Sequence, residues 1–214
     1  HRWSRDYWMH SGYGMVPTLL NSWEGAYFDF NAKTLTDMID DAADMGLEMF
    51  VLDDGWFANK YPRNNDNAGL GDWQVNVAKL PEGIDFIASH AHEKGLKFGI
   101  WIEPEMVNPK SELYEKHPDW IVKDNVHAAT AIRNQYLLDM TNPKVQDFVY
   151  GVFDDVMKLS DKIDYIKWDA NRHVENVGSS RLPSDEQTMF WVRYAQGLYN
   201  VMERVRAKYP DVMI

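Results

Sequence analysis

The chain has 214 residues, with 22 Lys plus Arg against 33 Asp plus Glu, a formal charge of −11. Such an acidic balance argues against a nucleic-acid partner, which needs clustered cations to neutralise phosphates. Cys is absent, which excludes disulfides, zinc ribbons, thiol nucleophiles and Fe–S clusters. No apolar run approaches the ~20 residues of a membrane span, so no membrane association is expected.

The chain opens at His1 without an initiator Met. It closes on Asp211-Val212-Met213-Ile214, which reads as a strand just beginning. The expectation is an excerpt of a longer protein. In chain order, Met15 to Leu20 is an apolar run compatible with a first strand, with Pro17 near its start. Leu35, Met38, Ile39 and Ala42 recur at helical spacing, and Gly46 supplies a stop. Leu47 to Leu52 is a short apolar strand that runs into Asp53-Asp54-Gly55 and a long polar loop. Ile84, Ile87, Ala88 and Ala91 form a second helical stripe, closed by Gly95. Leu96 to Ile102 is the next strand and ends in Glu103-Pro104-Glu105. A short helix is predicted over Ser111 to Lys116, and another strand over Gln135 to Met140. Val145, Phe148, Val149, Val152, Phe153 and Val156 give the cleanest amphipathic helix. Ile163 to Trp168 is a strand, and Phe190, Tyr194, Leu198, Val201 and Val205 mark a last long helix.

Six apolar strand signals alternating with helices indicate an α/β fold with a parallel sheet covered by helices. An open doubly wound sheet and a (β/α)₈ barrel both fit. Polar and aromatic groups follow nearly every strand, as expected where strand ends converge on one barrel pocket. No Gly-rich phosphate loop follows the first strand, as an open nucleotide-binding sheet would require. The barrel is therefore favoured, here as about six of its eight βα units within one domain over residues 1–214.

The strongest chemical constellation is Lys167-Trp168-Asp169-Ala170-Asn171-Arg172. Alternation places Lys167, Asp169 and Asn171 on one face while strand geometry lasts. A carboxylate between a cation and an amide stays ionised at neutral pH, which suits a nucleophile or an electrostatic stabiliser, or else a structural ion pair. Adjacent Asp53 and Asp54 at a strand exit suit sugar hydroxyls, a hard cation or a solvated turn. Nine Trp, 11 Tyr and 9 Phe supply flat faces that serve a core or a sugar ring equally. Trp23, Trp56 and Trp101 near strand ends carry that same ambiguity. Glu103 and Glu105 read as an acid or base, or more simply as rim salt bridges. Arg133 on its own reads as a surface charge. His90 and His92 stand at i and i+2 on a helix, on different faces, and do not make a metal pair.

With these motifs in hand, the sequence resembles the melibiase-type α-galactosidases, glycoside hydrolase family 36. The resemblance rests on Lys167 to Arg172, Leu52 to Phe57, Gly99 to Val107, His117 to Trp120 and Asn21 to Glu24, in the family's order. It implies a (β/α)₈ catalytic domain, of which residues 1–214 are part, and retaining hydrolysis of terminal α-galactosides, with no metal or organic cofactor. By position Asp169 resembles the nucleophile, and Asp53 and Asp54 the pair that holds galactose hydroxyls. Lys167, Asn171, Arg133, Trp23 and Trp101 resemble other sugar-contacting groups. Ala170 departs from the Met that many members carry. The family's acid/base Asp is expected beyond the strand that starts near Asp211. The resemblance further implies a homo-oligomer, and a cytoplasmic location is expected. A non-catalytic sugar-binding barrel and a metal-dependent lyase or isomerase using Glu103 or Glu105 are the alternative readings.

Overall fold

A computed structural model of the protein describes residues 16–124, 126–175 and 177–214. Its first strand, β1 (Leu19–Asn21), leads into a one-turn helix, α1 (Trp23–Ala26). Met15, where this strand was expected to start, lies outside the described residues. Helix α2 (Ala32–Asp44) starts at Asn31, whose side chain accepts from Thr34 N–H at 3.0 Å. That cap satisfies a donor the helix cannot. Leu35, Ile39 and Ala42 bury the inner stripe. Gly46 then takes φ +75°, and Gly95 takes +82° after α3 (Gly83–Glu93). A left-handed residue just past each helix end turns the chain back into a strand, and glycine adopts it without strain. The strands so launched are β2 (Met49–Leu52) and β3 (Lys97–Ile102).

The excursion after β3 carries a two-residue strand, β4 (Met106–Val107), and α4 (Glu112–Lys116), capped by Ser111 Oγ accepting from Tyr114 N–H at 3.1 Å. It returns through β5 (Tyr136–Leu137). Helix α5 (Pro143–Met157) follows the Asn142 cap with Pro at its first position, where a missing N–H costs nothing. Strand β6 (Ile163–Trp168) and the long helix α6 (Phe190–Lys208) complete the described elements.

The principal sheet is parallel, in the order β1-β2-β3-β6. Trp101 faces Lys167 and Ile102 faces Trp168 across β3 and β6. Met213 makes a single parallel bridge to Tyr165, so the segment near Asp211 does begin a neighbouring strand. Among the described residues the sheet does not close into a barrel. One expectation is corrected. Residues 135–140 do not form a strand of this sheet: β5 pairs antiparallel with β4, Met106 opposite Leu137. The direct β3/β6 ladder leaves no place between those strands for another. The six strand signals therefore resolve into four parallel strands and the start of a fifth.

The central strands β2 and β3 are apolar on both faces almost throughout, because helices cover one side and core side chains fill the other. All four residues of β2 are buried, as are Phe98 to Ile102 of β3. Helix α6 packs on α5 through Gly197, where a Cβ would lie 2.0 Å from Met140 O and 2.9 Å from Gln146 Nε2. No helix among the described residues is long and apolar enough to cross a membrane. The Gly197 contact yields a prediction. Gly197→Ala should push α6 outward and cost about 1–3 kcal/mol, the usual range for overpacking. A lower thermal midpoint of the full-length protein, by circular dichroism, would show it.

Candidate active site

In a parallel sheet the C-terminal strand ends lie along one edge, so the residues just past neighbouring strands come together there. Asp53 follows β2 and is 4% exposed. Its Oδ2 accepts from Lys167 Nζ at 2.7 Å and from Asn21 Nδ2 at 2.6 Å. Asn21 Oδ1 also accepts from Trp23 N–H at 2.8 Å, which ties the end of β1 to the same cluster. Trp23 is half-buried and meets Tyr27 and Phe28 edge to face.

Asp169 follows β6 and remains partly open. Its N–H donates to Ile102 O at 2.8 Å, a last rung beyond the β3/β6 ladder. Its Oδ2 accepts from Trp101 Nε1 at 3.0 Å and from Asn171 Nδ2 at 2.7 Å, and Oδ1 accepts from Ala170 N–H at 2.9 Å. Burial pushes the Asp169 carboxyl up. The Trp101, Asn171 and Ala170 donors and the Lys167 charge outweigh it, so the group lies below its ordinary value. Trp168, pointing the other way from the strand, donates instead to Glu105 Oε1 at 3.1 Å.

Asp54 turns away from Asp53. It takes a two-pronged ion pair from Arg63, Nη2 to Oδ2 at 2.7 Å and Nε to Oδ1 at 2.9 Å. Both side chains are nearly inaccessible. Burial raises the Asp54 carboxyl, and the Arg63 hydrogen bonds and charge oppose it. Arg133 is exposed in the segment that leads into β5, with Nη1 at 3.5 Å from Asn171 O.

The aromatics divide. Trp56 is fully buried and donates to Trp101 O at 3.0 Å, a core role. Trp101 is 1% exposed, yet its indole N–H reaches Asp169. It packs with Phe57 and Trp73 in one cluster beneath the rim. The expected rim salt bridges of Glu103 and Glu105 are corrected. Both are buried, and the structure gives them neutral donors: Gln135 Nε2 and Asn171 N–H for Glu103, Trp168 Nε1 and Tyr194 OH for Glu105. Burial raises Glu103 to about 7, against those hydrogen bonds and helped by the nearby Asp169 and Asp54 charges.

The structure thus brings two hydrogen-bonded groups to one rim, Asp53 with Lys167 and Asp169 with Trp101 and Asn171, the Lys167 charge acting on Asp169; Trp23 joins the first through Asn21, and Arg133 lies beside the second. Asp54 enters through its own partner. Sequence reasoning missed Arg63, which sits in a run of Asn and Asp that reads as solvated loop. It also missed Gln135 and Asn108, the latter fully buried between Arg63 and Leu70 N–H. His90 and His92 each meet a separate carboxylate, Asp40 and Asp164, away from this rim.

Comparison with known proteins places this geometry. Residues 1–214 match the Melibiase family. The chain belongs to that family. Alpha-galactosidase AgaA of Geobacillus stearothermophilus is 44% identical over 197 residues, which cover 92% of this chain and 26% of that protein. Alpha-galactosidase C of Emericella nidulans is 40% identical over 223 residues, covering all of this chain and 28% of its own length. The crystal structure of the GH36 enzyme AgaA superposes with a TM-score of 0.92 at 41% identity, over 99% of this chain and 29% of that one. The chain therefore spans about a quarter of the length of the curated relatives it matches.

Two predictions follow from the buried carboxyls. Arg63→Met leaves Asp54 charged without a partner and should cost about 3–5 kcal/mol, and adding Asp54→Asn should recover part of it. Denaturant unfolding of the full-length protein measures both. Glu103 makes stability depend on pH. Its folded value lies above its ordinary value of 4.5. The folded state holds the proton more tightly, so that contribution is complete below about 4.5 and is lost as pH rises through about 7. Between these limits the wild type should lose stability relative to Glu103→Gln, in melts taken across that range.

Proposed function

We propose that the full-length protein is a retaining α-galactosidase that removes terminal α-galactosyl residues from oligosaccharides such as melibiose or raffinose. The observation that carries this reading is the state of Asp169. It is an ionised, partly open carboxylate at a strand end, held by three hydrogen-bond donors, while the adjacent cation is engaged by Asp53. Relatives support the substrate class: a variant of AgaA has been solved with raffinose bound and another with stachyose.

In the proposed reaction an Asp169 oxygen attacks the anomeric carbon through an oxocarbenium-like transition state. The new carboxylate–carbon bond forms as the glycosidic carbon–oxygen bond breaks. A second carboxyl, ~5–5.5 Å away, gives its proton to the leaving oxygen. It then takes a proton from the water that hydrolyses the glycosyl-enzyme. The family resemblance puts that acid beyond the strand started at Met213. Asp53 and Lys167, already paired, would exchange part of their contact for sugar hydroxyls through charge-assisted hydrogen bonds. Asp54, fixed by Arg63, would present its remaining lone pairs. Trp23 and Trp101 would wall the sugar, and Asn171 and Arg133 would complete the contacts. The same proposal has the protein acting as a homo-oligomer in the cytoplasm, the first on the family resemblance. A lyase using Glu103 or Glu105 as base fits poorly, because both are buried and hydrogen-bonded.

The test is turnover of an aryl α-galactoside by the full-length protein, with the first-formed sugar anomer read by NMR. Galactose released as the α anomer is expected. Asp169→Ala should lower kcat by about 10⁴-fold or more, as loss of a nucleophile does. Undiminished turnover in that variant, or β-galactose as first product, would overturn the assignment.

A further inference from the structure

Glu103 directly follows β3 and is 1% exposed. Its Oε1 accepts two hydrogen bonds, from Gln135 Nε2 at 3.1 Å and from the backbone N–H of Asn171 at 2.5 Å. The side chain of that same Asn171 donates to Asp169 Oδ2 at 2.7 Å. One carboxyl oxygen thus holds the backbone of the residue whose amide holds the carboxylate.

We propose that Glu103 is a positioning residue for Asp169: by fixing the Asn171 backbone it sets where the Asn171 amide meets the nucleophile. This rests on the reading of Asp169 as nucleophile. The ladder between β3 and β6 ends at the bond from Asp169 N–H to Ile102 O. Past that rung the chain leaves the sheet, and the Asn171 N–H needs another acceptor. Glu103 supplies one from the end of the strand that also supplies Trp101, the second donor to Asp169 Oδ2. Both donors to that oxygen are therefore referred to β3, one through its own side chain and one through Glu103. A displaced Asn171 turns the carboxylate about its remaining bonds, and a misplacement of about 1 Å costs on the order of 100-fold in rate. The task requires an oxygen acceptor at the reach of a glutamate and no charge. Burial, which raises Glu103 to about 7, fits that requirement, because the neutral acid still offers a carbonyl oxygen.

Three variants of the full-length protein separate reach from charge. Glu103→Gln keeps the reach and an acceptor oxygen without charge. Glu103→Asp keeps the carboxyl group but falls short by one methylene. Glu103→Met keeps the length without an acceptor. The measurements are kcat for an aryl α-galactoside per folded enzyme and the inhibition constant of galactose. Glu103→Gln should keep at least about a third of kcat, whereas Glu103→Asp and Glu103→Met lose about 30- to 100-fold. Galactose inhibition should weaken by less than about tenfold in all of them, since Asn171 also contacts the sugar but most of the loss lies in the transition state and not in ground-state binding. Either short-reaching or acceptor-free variant suffices if the other does not fold.

An active Glu103→Asp beside an impaired Glu103→Gln would overturn the proposal, since charge would then matter and reach would not. So would full activity in all variants, or galactose affinity falling in step with kcat. Wild type and Asp169→Ala in the same assay separate the two levels. If the wild type is inactive or Asp169→Ala retains turnover, the reading of the nucleophile fails. If both behave as expected and the Glu103 series is flat, the positioning role alone fails.

Discussion

Trp101 faces Lys167 across the β3/β6 ladder, and Asp169 N–H adds a last rung to Ile102 O. Strand residues alternate, so Trp101 and Lys167 lean into the same side of the sheet, and Asp169 follows Lys167 by two. The pairing sets the height of all three at once. A slip of one residue would turn Lys167 and Asp169 to the face now held by Trp168. The neighbouring register, Leu52 against Ile100, brings Asp53 to the same level. Backbone hydrogen bonds of the sheet, more than any side-chain contact, decide that the groups meet.

The carboxyls gathered there are treated in three ways. Asp53 and Asp54 are buried and each has a cation, Lys167 and Arg63. Glu103 is buried with neutral donors and tends toward its acid form. Asp169 is partly open and held by dipoles, with the ammonium nearest it bonded to Asp53. A cation bound directly on Asp169 would stabilise the ground-state anion and lower its nucleophilicity. Placing that cation one carboxylate away helps keep Asp169 ionised without occupying its lone pairs. Two acids close in space thus acquire different roles from their surroundings.

Strands β2 and β3 were legible because each is a short apolar run bounded by Gly on one side and acids on the other, and β6 because it runs into Asp169. Ile163 to Trp168 matches its predicted span, and β2 and β3 start slightly later than the apolar runs suggest. Residues 135–140 show where periodicity stops informing. Gln135 and residues 137–140 are buried, which is what an apolar run reports. Their partners are β4 and the rim loops, a choice made by topology. Arg63 was illegible for the opposite reason. Its neighbours Asn64, Asn65, Asp66 and Asn67 are solvating residues, yet its guanidinium lies under the rim near the rings of Phe28 and Phe57. Buried charges paired across nine residues leave no periodic trace.

The loops after β2 and β3 are laced together by polar side chains. Asn108 Nδ2 donates to Asp66 O and to Asn134 O, and Asp72 accepts from the first two N–H groups of α4. Arg172 Nη1 donates to Gln135 O at 2.7 Å and joins the turn after β6 to the same frame. Such a frame can hold strain, and it does so at Ala58, φ +70°, and in the turn before β5. Arg133 and Asn134 are consecutive left-handed residues, at φ +53° and +59°, in the tight turn between Ile132 and Gln135. Asn tolerates that conformation readily, whereas Arg does so at a cost of roughly 1–2 kcal/mol. Two positive φ values are what a two-residue hairpin turn demands, because its twist then matches that of the flanking chain. The turn therefore fixes the direction of Arg133 through its backbone, although the side chain is exposed. A cation aimed by a strained turn at the Asn171 carbonyl, near Asp169, is thereby oriented by the backbone. Strain of this kind persists where the surrounding structure over-determines it, and here it lies at the rim that gathers Asp53, Lys167 and Asp169.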